Sequence, residues 1–241
     1  MNEYDFIKKD FPRYSMDPMS DDKDLVAELI LINKLNPKVC WEIGTGKADW
    51  ALFVNQYMNI RSEWNLTENF DWINVDNLEI AKYIPDDWPK NLNDIDTHIK
   101  QVCKKQKTDF NYKLYSQDIR DITIQNGNLV DLWRIDCDLP NPENAVEYML
   151  AHSSNNVIFF VDDIPPNHCI NRLIMMMDQV RKGNLELVWV GKNEAAWTRP
   201  NILDLPNIYY LFEESKHYFK RFMLIDDKPF YGRNTEYFVS E

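Results

Sequence analysis

Strand-like apolar runs of six to eight residues recur along this chain, each followed by a turn and most by a stretch of helical periodicity, and that alternation constrains the fold more than any other feature. The runs are KVCWEI (38–43), FDWINVD (70–76), FNYKLYS (110–116), LVDLWRID (129–136), VIFFVDD (157–163) and LELVWVG (185–191). Between them lie helix-compatible segments such as KADWALFVNQYM (47–58), NAVEYMLAH (144–152) and INRLIMMMDQVRKG (170–183). Ala48, Leu52, Phe53 and Tyr57 of the first fall on one helical face. A further helix is expected over DDKDLVAELILINKLN (21–36), which opens on acids and is stopped by Pro37. Strands alternating with helices predict an α/β fold built on a doubly wound, largely parallel sheet. The tail adds NIYYLF (207–212) and RFMLID (221–226) as candidate antiparallel strands.

No repeat, low-complexity tract or linker divides the 241 residues, so a single domain over 1–241 is expected. It comprises an N-terminal helix region (1–37), a core (38–200) interrupted at 60–69 and 84–108, and a C-terminal extension (201–241). A hydrophobic content of 44% with 13% aromatics suits a full core. No apolar run reaches the length of a membrane span and no signal peptide is visible, so a cytoplasmic protein with no membrane partner is expected. A net charge of −12 disfavours a nucleic-acid partner. The one dense basic run, KQVCKKQK (100–107), reads as a solvated helix face. Cys40, Cys103, Cys137 and Cys169 have no paired spacing and are expected as reduced thiols. A homo-oligomer is left open.

In open α/β sheets ligands gather at the carboxyl ends of strands, and those ends are acidic here. The first run closes with Glu42, the second with Asp76, the third is followed by Asp118, the fourth by Asp136 and Asp138, and the fifth by Asp162 and Asp163. Adjacent carboxylates near an apolar core repel one another and lose hydration, so a cation, a helix N-terminus or solvent has to offset them. The turn EIGTGKA (42–48) matches neither common phosphate-binding pattern. A P-loop would need glycine at Trp41 and a hydroxyl at Ala48, and a dinucleotide fingerprint would need its third glycine at Asp49. It remains either a tight turn or a place where backbone meets a ligand without phosphate, for which a cationic, ribose-bearing molecule would suit the acids.

EIGTGKA resembles the first motif of the class I S-adenosylmethionine-dependent methyltransferases, with Ala48 in place of the last glycine. The resemblance implies a Rossmann-like, doubly wound, mostly parallel seven-stranded sheet with helices on both faces and an antiparallel strand near the C-terminus. It also implies that Glu42, Gly44 and Gly46 flank the cofactor, that Asp76 accepts from its ribose hydroxyls and that Asp118 lies near its adenine. RIDCD (134–138) and FFVDD (159–163) are similar to the magnesium-dependent sugar O-methyltransferases of the macrocin type, over roughly residues 38–200. On that likeness Asp136, Asp162 and Asp163 are expected as ligands of Mg²⁺, which favours hard oxygens, and Asp138 as the general base. The chain departs from that pattern in having SSNN (153–156) before the fifth strand and Asp76 34 residues after Glu42.

The function so implied is an S-adenosylmethionine-dependent, Mg²⁺-assisted O-methyltransferase whose small-molecule acceptor is a hydroxyl of a sugar, glycoside or other diol. Two rivals stand beside it: a non-catalytic module of the same fold whose acids merely cap helices and meet solvent, and an enzyme that uses the cofactor for other chemistry. His98, His152, His168 and His217 are less telling; His168, just after DDIPPN, is expected at a loop or helix start, with a second base or a metal neighbour as its alternative role. Trp64 and Trp197 are candidates to gate a substrate pocket.

Overall fold

The computed structural model describes residues 22–60, 71–75, 90–116, 129–137, 142–162 and 170–203. Helix α1 (Asp22–Leu35) leads into β1 (Val39–Ile43), α2 (Asp49–Ile60) and β2 (Asp71–Val75). Then come α3 (Leu92–Gln106), β3 (Tyr112–Tyr115), β4 (Val130–Ile135), α4 (Pro142–Ala151) and β5 (Ser153–Val161). Helix α5 (Ile170–Arg181), β6 (Glu186–Val190) and β7 (Ala195–Thr198) complete the described chain.

These strands form one sheet in the order β3-β2-β1-β4-β5-β7-β6. Strands β1 to β5 pair in parallel, and β7 runs antiparallel between β5 and β6. The chain builds outward from β1 in one direction and from β4 in the other. Right-handed crossovers therefore send the helices that follow β1 and β2 to one face and those that follow β4 and β5 to the other. Packing agrees: α2 touches α3, while α4 touches α5.

Burial on both faces explains why the central strands read as apolar runs. Leu132, Trp133 and Ile135 of β4 and Val157 to Val161 of β5 are buried. Local signals set the helix ends. Asn36 takes a left-handed φ of 49° after α1, its N–H bonding Ile32 O at 2.8 Å, and Pro37 follows. Helix α3 starts at Asn91, whose side chain accepts from Asp94 N, and ends on the left-handed Lys107. It buries Ile95, Ile99 and Val102, spaced along one face.

The segment 84–108, read as an interruption, thus contains a capped helix. Strand β5 begins at Ser153, so SSNN is strand rather than lead-in. Ser153 Oγ donates to Met149 O at 2.6 Å and accepts from Trp133 Nε1 at 2.9 Å, which ties the strand start to α4 and β4. The antiparallel strand β7 is AAWT, which the periodicity did not single out; the tail candidates at 207–212 and 221–226 lie outside the described residues. Trp197 is fully buried in β7, paired with Phe159 and Leu187, and so belongs to the core rather than to a gate. Trp64 lies outside the described residues. Cys40, Cys103 and Cys137 are in no disulfide. Among the described residues no helix is long and apolar enough to cross a membrane.

Candidate active site

Strand register selects which side chains meet. Arg134 on β4 is opposite Glu42 on β1 and Phe160 on β5, so the three side chains leave the same face of the sheet. Two residues on, Asp136 and Asp162 continue that face past the strand ends. Asp136 N bonds Ile43 O at 2.8 Å and Asp162 N bonds Ile135 O at 3.0 Å, extending the ladder by one residue on each side. The acids are thus stacked side by side where the strand order reverses between β1 and β4, the place an open α/β sheet leaves a crevice.

The turn after β1 is seated against this acid row. Gly44 has φ 85° and Gly46 φ 53°, and Ala48 shares their left-handed backbone at φ 62°, although an L side chain seldom adopts it. Ala48 N donates to Thr45 O at 2.7 Å, and Ala48 O takes the N–H of Leu52 at 2.9 Å to start α2. Gly44 is glycine because the end of β4 abuts it: a Cβ there would collide with the Asp136 carbonyl and stand 2.7 Å from Cys137 Cβ. The turn and Asp136 are therefore in direct contact.

Among the described residues, the cation that meets the acids is Arg134, whose side chain is 4% exposed. Its Nη2 donates to Asp162 Oδ2 at 2.6 Å and to Asp136 Oδ2 at 3.2 Å. Its Nη1 donates to Glu194 Oε1 at 2.8 Å and to Glu28 Oε1 at 3.4 Å, and Glu42 Oε1 lies 3.6 Å from Nε. The Trp50 ring covers the guanidinium at 4.8 Å, and Trp50 Nε1 donates to Glu28 Oε2 at 2.8 Å. Burial opposes the guanidinium's charge, but Glu194, Asp162, Asp136 and Glu28 outweigh it and hold its pKa well above the ordinary value.

Among the described residues, five carboxylates around one guanidinium leave an excess of negative charge, which protonation relieves in part. Burial pushes Glu28 up to about 7, against the pull of Arg134. Burial, followed by the charges of Glu28 and Asp162, pushes Glu194 well above the carboxylate range. Both carboxyls are buried against the same guanidinium and both are raised, so the pair keeps a proton to higher pH than free carboxyls do. Helix α1 brings Glu28 here because Asp24, one turn earlier, accepts Lys192 N and Asn193 N at 3.0 Å each, fastening the helix to the β6–β7 turn that carries Glu194.

Of the expected site residues, Glu42, Gly44, Gly46, Asp136 and Asp162 come together at the ends of β1, β4 and β5. Asp76, Asp118, Asp138 and Asp163 lie outside the described residues, as do His168 and His217. His98 Nε2 sits 3.0 Å from Asp49 Oδ1 just beyond the turn, and His152 Nδ1 sits 2.8 Å from Tyr148 O. Among the described residues no group of three or more His, Cys, Asp or Glu is arranged to hold a metal. Asp136 and Asp162 are nonetheless hard-oxygen donors at the rim, their side chains 32% and 16% exposed, so the chemistry of the pair suits Mg²⁺. Arg134, Glu28 and Glu194 were not anticipated. A charged residue inside an otherwise apolar run, as in LWRI and LVAELILI, is the signal that marks the first two.

No protein-family model matches the chain, and no curated protein sequence gives a significant match. Its fold is similar to that of a solved structure described as an O-methyltransferase from Klebsiella pneumoniae, with 13% identity, 81% of this chain and 88% of that one covered, and a TM-score of 0.53. It is also similar to CalS11, described as a calicheamicin methyltransferase, with 13% identity, 74% of this chain and 80% of that one covered, and a TM-score of 0.52. A second CalS11 structure, described as a TDP-rhamnose 3′-O-methyltransferase, covers 74% of this chain and 81% of that one at 15% identity and a TM-score of 0.51. These likenesses establish a fold shared with methyltransferase structures.

Proposed function

We propose that this chain is an S-adenosylmethionine-dependent O-methyltransferase acting on a hydroxyl of a small molecule, a sugar, glycoside or other diol. The observation that supports it best is the contact between the EIGTGKA turn and the acid row of Glu42, Asp136 and Asp162 at the reversal of strand order. In this reading Glu42, Gly44, Gly46, Asp76 and Asp118 bind the cofactor, and its sulfonium accounts for a site lined with acids. Asp136 and Asp162 orient the acceptor, and Asp138 takes the proton from the hydroxyl as its oxygen attacks the methyl group. Asp136, Asp162 and Asp163 would hold Mg²⁺, which when bound lowers the pKa of a hydroxyl it coordinates.

Calorimetric titration of S-adenosylmethionine with and without Mg²⁺ tests the cofactor, with S-adenosylhomocysteine as control. Mass spectrometry then tests acceptors for a gained methyl group, beginning with free and nucleotide-linked sugars, since one neighbour in fold is described as acting on TDP-rhamnose. Asp136→Ala and Asp162→Ala are each expected to lower turnover by about a hundredfold or more while binding of the uncharged S-adenosylhomocysteine survives. Full activity in both would sink their assigned role. One observation favours a second reading, a non-catalytic module: Arg134 already pairs with an oxygen of both Asp136 and Asp162. That module would show no saturable heat with either cofactor form or Mg²⁺. An enzyme with other cofactor chemistry would bind but add no methyl group to any acceptor.

A further inference from the structure

We propose that Arg134 is a positioning residue for the cofactor end of the site, a single guanidinium that holds Glu42, Asp136 and Asp162 together so that they meet a cationic ligand as one preset group. The assignment rests on the methyltransferase reading. Three carboxylates on one sheet face repel and would splay toward solvent if unrestrained. Arg134 opposes this with a geometry lysine cannot copy, because a planar fork presents separate N–H groups in fixed directions. Its Nη2 reaches one oxygen of Asp136 and one of Asp162, and its Nε edge faces Glu42. The fork is itself held from behind, by Glu194 and Glu28 at Nη1 and by the Trp50 ring against its plane. A preset acid group of this kind favours a ligand by its charge and asks no rearrangement on binding.

S-adenosylmethionine and S-adenosylhomocysteine provide the probe, since they differ by the methyl group that makes the sulfur cationic. Calorimetry with the full chain measures both affinities in the unaltered protein and in Arg134→Lys, which keeps the charge and loses the fork. The expected result is that Arg134→Lys weakens S-adenosylmethionine about tenfold or more, while S-adenosylhomocysteine changes by less than about threefold. Equal weakening of the two marks a residue that serves only the fold, and unchanged affinities mark one that serves neither; each overturns the assignment. Binding of neither compound by the unaltered chain overturns the methyltransferase reading and the assignment with it. Should Arg134→Lys not fold, Arg134→Gln is made on Glu28→Gln/Glu194→Gln, where the two buried carboxyls that pair with the guanidinium at Nη1 are neutralised together with it. Compared with that double variant, the same selective loss supports the assignment and parallel or absent loss overturns it. A triple variant that cannot fold despite balanced charge shows a structural role and likewise overturns it.

Discussion

Glu28 is a carboxyl with no exposed surface, and its environment couples stability to pH. Unfolded, it ionises near 4.5; folded, burial raises this to about 7 in spite of Arg134. Between those values the folded chain holds more protons than the unfolded one, so stability falls as pH rises. The contribution is whole below 4.5 and is lost as pH passes through about 7. Glu194 reinforces the trend, since its pKa is raised as well. Glutamine at position 28 keeps one oxygen to accept from Trp50 Nε1, gives up the other that accepts from Arg134, and has no carboxyl proton to lose. Glu28→Gln is therefore expected to flatten the decline in melting temperature between about pH 5 and about pH 8, read by thermal unfolding in matched buffers. An unchanged slope would mean that the buried pair does not bind the extra proton.

At the scale of elements, the β1–α2 turn and the end of β4 act as one unit. Gly44 lies against the Asp136 carbonyl and Cys137 Cβ, Asp136 N is bonded to Ile43 O, and the turn's left-handed residues then start α2. A methyl group at position 44 meets backbone, which cannot rotate away, and sits on a φ of 85° that disfavours any L side chain. Gly44→Ala is expected to cost about 2 kcal/mol or more, measured by urea unfolding, and to weaken S-adenosylmethionine along with it by displacing the turn. A variant of unchanged stability would show that the turn and β4 stand further apart than described. Helix α1 has a comparable double attachment, through Asp24 to the β6–β7 turn and through Glu28 to Arg134, and so is a wall of the site rather than a peripheral lead-in.

Across the whole molecule, what could be read from the sequence follows from where burial is two-sided. Strands β1, β4, β5 and β6 are covered on both faces and announce themselves as unbroken apolar runs, and the acids that close β1, β4 and β5 were visible at once. Strand β7 was not, because AAWT is four residues long and its pattern carries no period of its own. The buried ion cluster was also out of reach. Arg134 finds Glu28 106 residues and Glu194 60 residues away, distances that only the assembled fold closes. The consequence bears on ligand binding, because elements from α1 to the β6–β7 turn converge on one guanidinium beside the site, and occupancy there should stabilise all of them together. A ligand that binds only the folded chain adds about 2.7 kcal/mol at a hundred times its Kd. For a chain of this size that corresponds to a rise of about 5–10 °C in melting temperature. S-adenosylmethionine is expected to produce this rise as a single cooperative transition, measured by scanning calorimetry. A folded protein whose melting is unmoved by millimolar cofactor would reduce EIGTGKA to a structural turn and leave the acid row as a device of the fold.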